Sequence, residues 1–248
     1  MQEEKIDYGV DAPKVIRNLL IIGAMLYLIG VFVIPKIPWA AFLFLAGVMV
    51  YTGIFMIIEG LLMFWYSKYG KLKHRDRMLR LFDFKGDEQV LDVGTGRGLL
   101  LIGAAKKLTT GKATGIDIWN SADLTDNHLE NALLNVRLEG VRDRIEILNE
   151  NITDSSLKDN FFDLIVSNLC LHNIYDPANR KAACKEIVRL LKPGGTAIIS
   201  DFKHTATYRA HFTFFGCKAE KIGTYIFSTF PALTIIKVVK ETALERKP

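Results

Sequence analysis

The sequence predicts an α/β protein in which a mostly parallel sheet, with helices on both faces, follows a pair of long apolar helices. From residue 85 onward, apolar strand patterns alternate with helical patterns, which is typical of a parallel sheet. The chain is 50% hydrophobic, and the excess over a soluble protein lies in two apolar runs before that point. We therefore divide it into a helical hairpin (residues 1–66), a basic linker or helix (67–84) and an α/β domain (85–248).

The two apolar runs are predicted to be membrane helices. Residues 39–58 are enough to cross a bilayer core of ~30 Å at ~1.5 Å per residue. Residues 19–34 are marginal by the same measure, so the pair either spans the bilayer or forms a re-entrant hairpin. Pro35-Lys36-Ile37-Pro38 breaks the helix between them. Two buried core helices of a soluble domain are the alternative.

Basic residues lie on the outer sides of both runs. They are Lys5, Lys14 and Arg17 before the first run, and Lys68, Lys71, Lys73, Arg75, Arg77 and Arg80 after the second. The connecting turn carries only Lys36, so we expect both chain ends in the cytoplasm, with Trp39 and Trp65-Tyr66 at the two interfaces. Much of the net charge of +5 lies beside the hairpin, which indicates anionic lipid headgroups, and not nucleic acid, as partners.

A glycine-rich turn follows the first strand of the α/β domain. Asp92-Val93-Gly94-Thr95-Gly96-Arg97-Gly98 comes after the apolar Gln89-Val90-Leu91 and before an apolar helix at 99–108. Glycines let the backbone approach a ligand, and the helix N-terminus offers it unpaired N–H groups. The dinucleotide-binding pattern needs Gly or Ala where Leu99 stands, so a nicotinamide cofactor is disfavoured.

The remaining elements alternate in the order that a parallel sheet requires. A second strand ends at Thr114-Gly115-Ile116-Asp117, and Asp126 is the predicted N-cap of the next helix. Asp176-Pro177 begins a later helix as its N-cap and first residue. The other predicted elements are strands at 144–148, 161–168 and 196–201, a turn at 190–195, a helix ending near Gly216, and an antiparallel pair near 218–227 and 234–239.

Four of these segments together resemble the class I S-adenosylmethionine (SAM)-dependent methyltransferases. The glycine turn is similar to their first motif, acid-x-Gly-x-Gly-x-Gly, and Thr114-Gly115-Ile116-Asp117 looks like the end of their second strand. Residues 161–168 and 190–201 look like their fourth and fifth strands. The resemblance covers roughly residues 75–240 and implies a Rossmann-like sheet with flanking helices, SAM as the cofactor and methyl transfer as the reaction.

The resemblance also assigns a cofactor site. It implies that Asp92 holds the methionine amino group and that Asp117 holds the ribose, because a carboxylate accepts from two hydroxyls. Ile118 is expected to pack on adenine, with Trp119 as the alternative. The predicted cofactor-binding residues are Asp92, Gly94, Thr95, Gly96, Gly98, Asp117, Ile118, Asn151, Ile152 and Asn168.

Asn151 departs from the family pattern. Related enzymes often have Asp at this position, accepting from the adenine amino group. Asn151 keeps a carbonyl acceptor, and Glu150 or Asp154 could take the role instead.

Asn168 and His172 are the candidate catalytic residues. They follow the fourth strand, where the resemblance implies residues on the acceptor side, and polar groups in an apolar frame are costly unless they bond something. His172 could take a proton from a neutral hydroxyl, thiol or amine, or its ring could bond backbone or stack on the cofactor. A base is optional for an acceptor that is already ionised.

The predicted function is that of a membrane-anchored SAM-dependent methyltransferase whose catalytic domain faces the cytoplasm. A small or lipophilic acceptor is expected, because a membrane hairpin suits a substrate that partitions into lipid. A protein methyltransferase and a non-catalytic SAM-binding membrane scaffold are the alternatives. No metal is expected, because Cys170, Cys184 and Cys217 lack ligand spacing.

Overall fold

The computed structural model describes residues 4–33 and 40–242. Seven α-helices and seven strands lie in these ranges. The helices are α1 (Pro13–Leu28), α2 (Ala40–Trp65), α3 (Lys71–Leu79), α4 (Leu99–Ala105), α5 (Leu129–Leu138), α6 (Pro177–Leu190) and α7 (Thr205–Phe214). The strands are β1 (Gln89–Val93), β2 (Lys112–Asp117), β3 (Ile145–Asn149), β4 (Phe162–Asn168), β5 (Leu191–Asp201), β6 (Cys217–Tyr225) and β7 (Leu233–Lys240).

The seven strands form one sheet in the order β3-β2-β1-β4-β5-β7-β6. The first five are parallel, and β7 runs antiparallel between β5 and β6. The predicted α/β architecture with its closing antiparallel pair is confirmed. The direction of the strand order reverses between β1 and β4, which is where open parallel sheets bind ligands beyond their carboxyl ends.

Helices cover both faces of the sheet, so neighbouring strand residues are buried on opposite sides. Val90 and Leu164 lie in one apolar cluster, and the next residues along their strands, Leu91 and Ile165, lie in the other. All four side chains are fully buried. A strand that is buried on both faces has to be apolar at consecutive positions, which explains the continuous apolar runs in the sequence.

The hairpin helices are longer than the apolar runs predicted. α1 begins at Pro13, so Lys14 and Arg17 lie within its first turns, and it continues as a π-helical turn to Val33. α2 runs from Ala40 to Trp65. Pro35-Lys36-Ile37-Pro38 and Trp39, the predicted turn and interfacial residue, lie outside the described residues. The two helices pack closely, since a Cβ on Gly53 would stand 2.5 Å from the carbonyl oxygen of Gly23.

α2 passes into the α/β domain without an irregular linker. A π-helical turn, Tyr66–Gly70, joins it directly to α3, which occupies much of the predicted basic segment. His74 of α3 is buried, and its Nε2 lies 2.7 Å from Oγ of Ser200 on β5. The guanidinium of Arg77 lies 4.1 Å from the centre of the Tyr225 ring. These contacts fix α3, and with it the end of α2, against the sheet.

Two local predictions were wrong. Asp126 is not an N-cap: it has a φ of 50°, and α5 begins at Leu129 after His128. In the segment predicted as a turn at 190–195, Leu190 ends α6 and the remaining residues belong to β5, where Leu191 pairs with Phe162 before the register changes. Asp176 is the N-cap of α6 as predicted, and its Oδ1 accepts from the backbone N–H of Asn179 at 2.8 Å.

Candidate cofactor and acceptor site

A cavity of about 940 Å³ lies at the carboxyl ends of the parallel strands, where the strand order reverses. All but one of the residues predicted to bind the cofactor line it. They are Asp92, Gly94, Thr95, Gly96, Asp117, Ile118, Asn151, Ile152 and Asn168, and His172 joins them. Gly98 is the exception and serves as the N-cap of α4, with a φ of 85°.

Asp92 is a buried acid at the end of β1, and its side chain is 1% exposed. Its Oδ2 accepts from the hydroxyl of Thr95 and from the backbone N–H of Leu101, both at 2.9 Å. Burial raises the pKa of Asp92 to about 7, against the opposing effect of these two hydrogen bonds. The carboxyl therefore organises the glycine turn and also faces the cavity with an oxygen that accepts no hydrogen bond from the described residues.

Asp117 joins the end of β2 to the same turn. Its Oδ2 accepts from the backbone N–H of Gly96, and its Oδ1 accepts from the N–H of Trp119, each at 2.7 Å. Oδ1 also accepts from Nδ2 of Asn127 at 3.4 Å, so Oδ2 is the oxygen that keeps a second lone pair for a ligand donor. Within the part of the chain that the structure describes, neither Asp117 nor Asp92 forms an ion pair, which suits a positively charged ligand.

Gly94 is the residue of the glycine turn that Cys170 approaches most closely. It has a φ of 73°, and a Cβ there would stand 2.3 Å from Sγ of Cys170. Only glycine leaves room for the segment after β4 to cross the end of β1 at this point. Cys170 is a free cysteine, and burial raises the pKa of its thiol.

Of the residues predicted to contact adenine, some are available to a ligand and others are already engaged within the chain. Ile118 lines the cavity and is 62% exposed, which leaves an apolar face for a ring, and Ile152 is buried beside it. Oδ1 of Asn151 already accepts from the backbone N–H and the hydroxyl of Thr153, each at 3.0 Å. The acceptor on which its predicted role depends is therefore engaged locally. Glu150 also lines the cavity, and its carboxylate accepts from Ser156.

Asn168 and His172, the residues predicted to face the acceptor, line the cavity after the end of β4. Oδ1 of Asn168 is buried without a hydrogen-bond partner among the described residues. Nδ1 of His172 lies 2.8 Å from Oδ1 of Asp201, although the alignment falls short of a hydrogen bond. The backbone N–H of His172 donates to Oδ2 of the same carboxylate at 3.1 Å. Asp201, at the end of β5, thus holds His172 through contacts with both its ring and its backbone.

Sequence reasoning missed the segment before α1. Tyr8 is buried, and the backbone of Ala12 donates to the carbonyl of Asp123 at 3.0 Å. The backbone N–H of Thr125 donates to the carbonyl of Val10 at 3.1 Å. These pairings fasten the polar loop at 119–126 over the cavity. Short polar segments near a chain end carry no periodic signal for such contacts.

Sequence reasoning also misplaced Tyr66. It was assigned to an interfacial aromatic belt, but its side chain is 1% exposed and lines the cavity next to Asn168. Trp65, its neighbour, is 48% exposed. Among the described residues, no group of three or more His, Cys, Asp or Glu side chains could hold a metal ion.

Residues 91–199 match the family model described as a methyltransferase domain. A protein-lysine N-methyltransferase from Saccharolobus islandicus is 29% identical over 128 residues, which cover 51% of this chain and 70% of that protein. A ubiquinone biosynthesis O-methyltransferase from Alkalilimnicola ehrlichii is 34% identical over 115 residues, covering 45% and 40% of the two chains. The chain spans about half or less of the length of most of the curated relatives it matches.

The fold matches solved structures at low sequence identity. A putative SAM-dependent methyltransferase from Methanococcus maripaludis superposes with a TM-score of 0.55 at 20% identity, covering 73% of this chain and 91% of that one. At this identity the likeness concerns the fold.

Proposed function

We propose that this chain is a membrane-anchored, SAM-dependent methyltransferase of class I that acts on a small or lipophilic acceptor. The matched methyltransferase domain and the relatives named as methyltransferases support an enzyme of this type with SAM as its cofactor. The observation that carries the proposal is one cavity that extends from the two acids at the strand ends to the base of the apolar hairpin.

The charges and donors of the site fit SAM. Asp92 and Asp117 are unpaired carboxylates at the ends of adjacent strands, suited to the methionine ammonium and to the ribose hydroxyls respectively. The exposed face of Ile118 fits a purine ring. We assign the glycine turn, with Gly94 and Gly96, to the methionine end.

SAM supplies a methyl group bonded to a sulfonium sulfur. After the methyl group is transferred, the rest of SAM leaves as a neutral thioether. The chain's task is then to hold the acceptor in line and to take up a proton where the acceptor is neutral. The ring of His172, 16% exposed and oriented by Asp201, is the group we assign to that proton. Asn168 is assigned to positioning the acceptor beside it.

The exposed apolar surface of the hairpin supports membrane anchoring. Both helices, extended to Pro13–Phe32 and Phe42–Leu79, are long and apolar enough to span a bilayer by length and composition. Their large side chains face outward: Phe44 is 78% exposed and Phe55 is 65% exposed. Core helices of a soluble domain would bury such residues, whereas lipid would cover them.

The class of acceptor can be identified by finding which fraction receives the methyl group from labelled SAM. Nanodiscs or membranes that hold the protein are incubated with methyl-labelled SAM, and label is partitioned among lipid extract, protein and water-soluble products. We expect most of the acceptor-dependent label in the lipid extract. Label confined to protein would replace our acceptor class with that of the protein-lysine relative, and SAM binding without any transfer would favour a non-catalytic scaffold.

A further inference from the structure

Tyr66 presents an unsatisfied hydroxyl inside the protein. Its side chain is 1% exposed, and the hydroxyl has no hydrogen-bond partner among the described residues. It interacts with the side chain of Asn168 in a geometry that falls short of a hydrogen bond, and the buried Oδ1 of Asn168 has no hydrogen-bond partner among the described residues either. A buried polar group without a partner costs free energy, so two of them side by side indicate a place for a polar ligand group.

The backbone holds the Tyr66 ring in this position. The π-helical turn Tyr66–Gly70 directs the ring toward Gly70, where an added Cβ would stand 2.6 Å from Cδ2 of Tyr66. Ser67, the next residue, accepts at Oγ from the backbone N–H of Asp11 and donates to its carboxylate, both at 3.1 Å. The end of α2 is thereby fastened to the segment that covers the cavity.

Apolar side chains of the hairpin base line the cavity next to this polar point, and the charged Lys14 and Glu59 of the same helices line it as well. Val15 of α1 and Met63 of α2 line the cavity, together with Phe230 and Pro231 from the β6–β7 loop. The same loop carries Phe227, which is 96% exposed. Apolar side chains of the hairpin and of this loop are therefore present both in the cavity wall and on the outer surface of the molecule.

We propose that the methyl acceptor binds between the hairpin base and the α/β domain, with Tyr66 and Asn168 holding its reacting hydroxyl and Met63 and Val15 contacting its apolar body. This inference rests on the proposed methyltransferase function and specifies its acceptor site. Before the reaction the hydroxyl accepts from Tyr66 and donates to Oδ1 of Asn168, and it gives up this proton to His172 when the methyl group is transferred. The occupant is an amphiphile dissolved in the bilayer, because the helices that contribute Val15 and Met63 to the cavity also carry the exposed apolar surface of the hairpin.

Binding of 4-nonylphenol, an amphiphile with one hydroxyl, tests the site. The full chain in nanodiscs is saturated with S-adenosylhomocysteine and titrated with this probe by calorimetry, with empty nanodiscs giving the partition background. Tyr66→Phe removes one hydroxyl and should weaken probe binding about 3- to 10-fold. Met63→Trp fills the apolar part and should weaken it ~10-fold or more. Affinity for S-adenosylhomocysteine should stay unchanged in both variants.

Leu62→Trp is the matched control, because Leu62 is 43% exposed on the outer face of the same helix and does not line the cavity. It should bind the probe as the unaltered chain does. The site is overturned if the chain binds S-adenosylhomocysteine but not the probe, or if Tyr66→Phe and Met63→Trp bind the probe normally. Failure to bind S-adenosylhomocysteine would instead contradict the proposed function. Unchanged thermal unfolding of Tyr66→Phe separates a lost contact from lost structure.

Discussion

Asp201 holds His172 by two atoms: its Oδ1 lies 2.8 Å from Nδ1 of the ring, and its Oδ2 accepts from the backbone N–H at 3.1 Å. Asp201 is fully buried at the end of β5, while the His172 side chain is 16% exposed toward the cavity. A carboxylate in this place orients an imidazole and stabilises the proton that it takes up. Phe202 supports the ring from the side, with 4.6 Å between ring centres.

His172→Ala is expected to lower turnover with SAM affinity nearly unchanged. If the acceptor is neutral, the loss should be about 10²- to 10⁴-fold, the usual contribution of a general base. A loss below about tenfold would indicate an acceptor that is already ionised, with proximity as the main source of catalysis. Steady-state turnover and calorimetric SAM binding measure the two quantities separately. His204→Ala is the control, because His204 is exposed at the start of α7.

Loss of SAM binding in His172→Ala, with normal turnover per bound SAM, would contradict the assignment and move the residue to the cofactor side. Asp201→Asn provides a second measurement. It keeps an acceptor for the backbone N–H of His172 but removes the charge beside its ring. We expect it to reduce turnover and to change the pH dependence of the rate, which a purely structural role of Asp201 would leave alone.

The positions of Asp92 and Asp117 could be predicted from the sequence because local chain geometry fixes them. Asp92 and Asp117 end strands on either side of a glycine turn, and parallel strands bring their carboxyl ends to one edge. Tyr66 and Tyr8 could not be found in this way. Their contacts with Asn168 and Glu139 join parts of the chain more than 100 residues apart, and tertiary packing of that kind leaves no local pattern.

Asp117→Ala should weaken SAM binding by about 1.5–3 kcal/mol, the range for hydrogen bonds to a charged group. The structure adds a second reason, because the carboxylate also fixes the backbone of Gly96 and Trp119. Calorimetry with SAM measures the loss. Asp154→Ala is a suitable comparison, since Asp154 does not line the cavity. Equal SAM affinity in Asp117→Ala and the unaltered chain would refute the ribose assignment.

SAM affinity should rise with pH around the titration of Asp92. Burial raises the pKa of this carboxyl to about 7, and a cationic ligand favours its ionised form. The ionised fraction increases about tenfold between pH 6 and pH 8, so the dissociation constant should fall by about the same factor. Asp92→Asn should bind SAM more weakly and flatten this dependence. A dependence that is equally steep in Asp92→Asn would assign it to another group.

The raised pKa of Asp92 has the opposite effect on the stability of the SAM-free protein, which should decrease with pH where SAM affinity increases. Asp92 has an ordinary pKa of 3.8 and a folded pKa of about 7, so between these values the folded state binds more protons than the unfolded state. Its contribution to stability therefore decreases as pH rises from about 4 to about 7 and is constant above that. At each pH, the melting temperature of Asp92→Asn is compared with that of the unaltered chain. The variant's gain in melting temperature should be larger at pH 8 than at pH 5.

Membrane anchoring predicts that the full chain stays in the membrane pellet after alkaline carbonate washing. The reason is the exposed apolar surface of α1 and α2, where Phe44, Phe55 and Tyr51 are each at least 65% exposed. Protease applied to sealed inside-out vesicles should cleave the α/β domain, since both chain ends are expected in the cytoplasm. Release of the full chain by carbonate would show that the helices are packed against protein.

The segment before α1 should be needed for tight SAM binding although it contains no cofactor motif. Asp7 lies 3.3 Å from Arg97 of the glycine turn, and Lys71 holds the carbonyls of Tyr8 and Gly9 at 2.7 Å. Deleting residues 1–10 removes these contacts and the pairing of Thr125 with Val10, while the pairing of Ala12 with Asp123 and both helices remain. We expect SAM affinity to fall roughly tenfold, the cost of losing one to two hydrogen bonds that order the cavity wall, with carbonate resistance unchanged.

Glu4→Ala is the matched control for this deletion. Its ion pair with Arg137, at 2.6 Å, is exposed on both sides and should contribute little to SAM binding. Tyr8→Phe, which removes only the hydroxyl bonded to Glu139 at 2.7 Å, should fall between the control and the deletion. If the deletion left SAM affinity unchanged, residues 1–10 would pack beside the cavity without contributing to SAM binding. In that case a catalytic domain lacking residues 1–66 should also bind SAM, as its motifs alone would suggest.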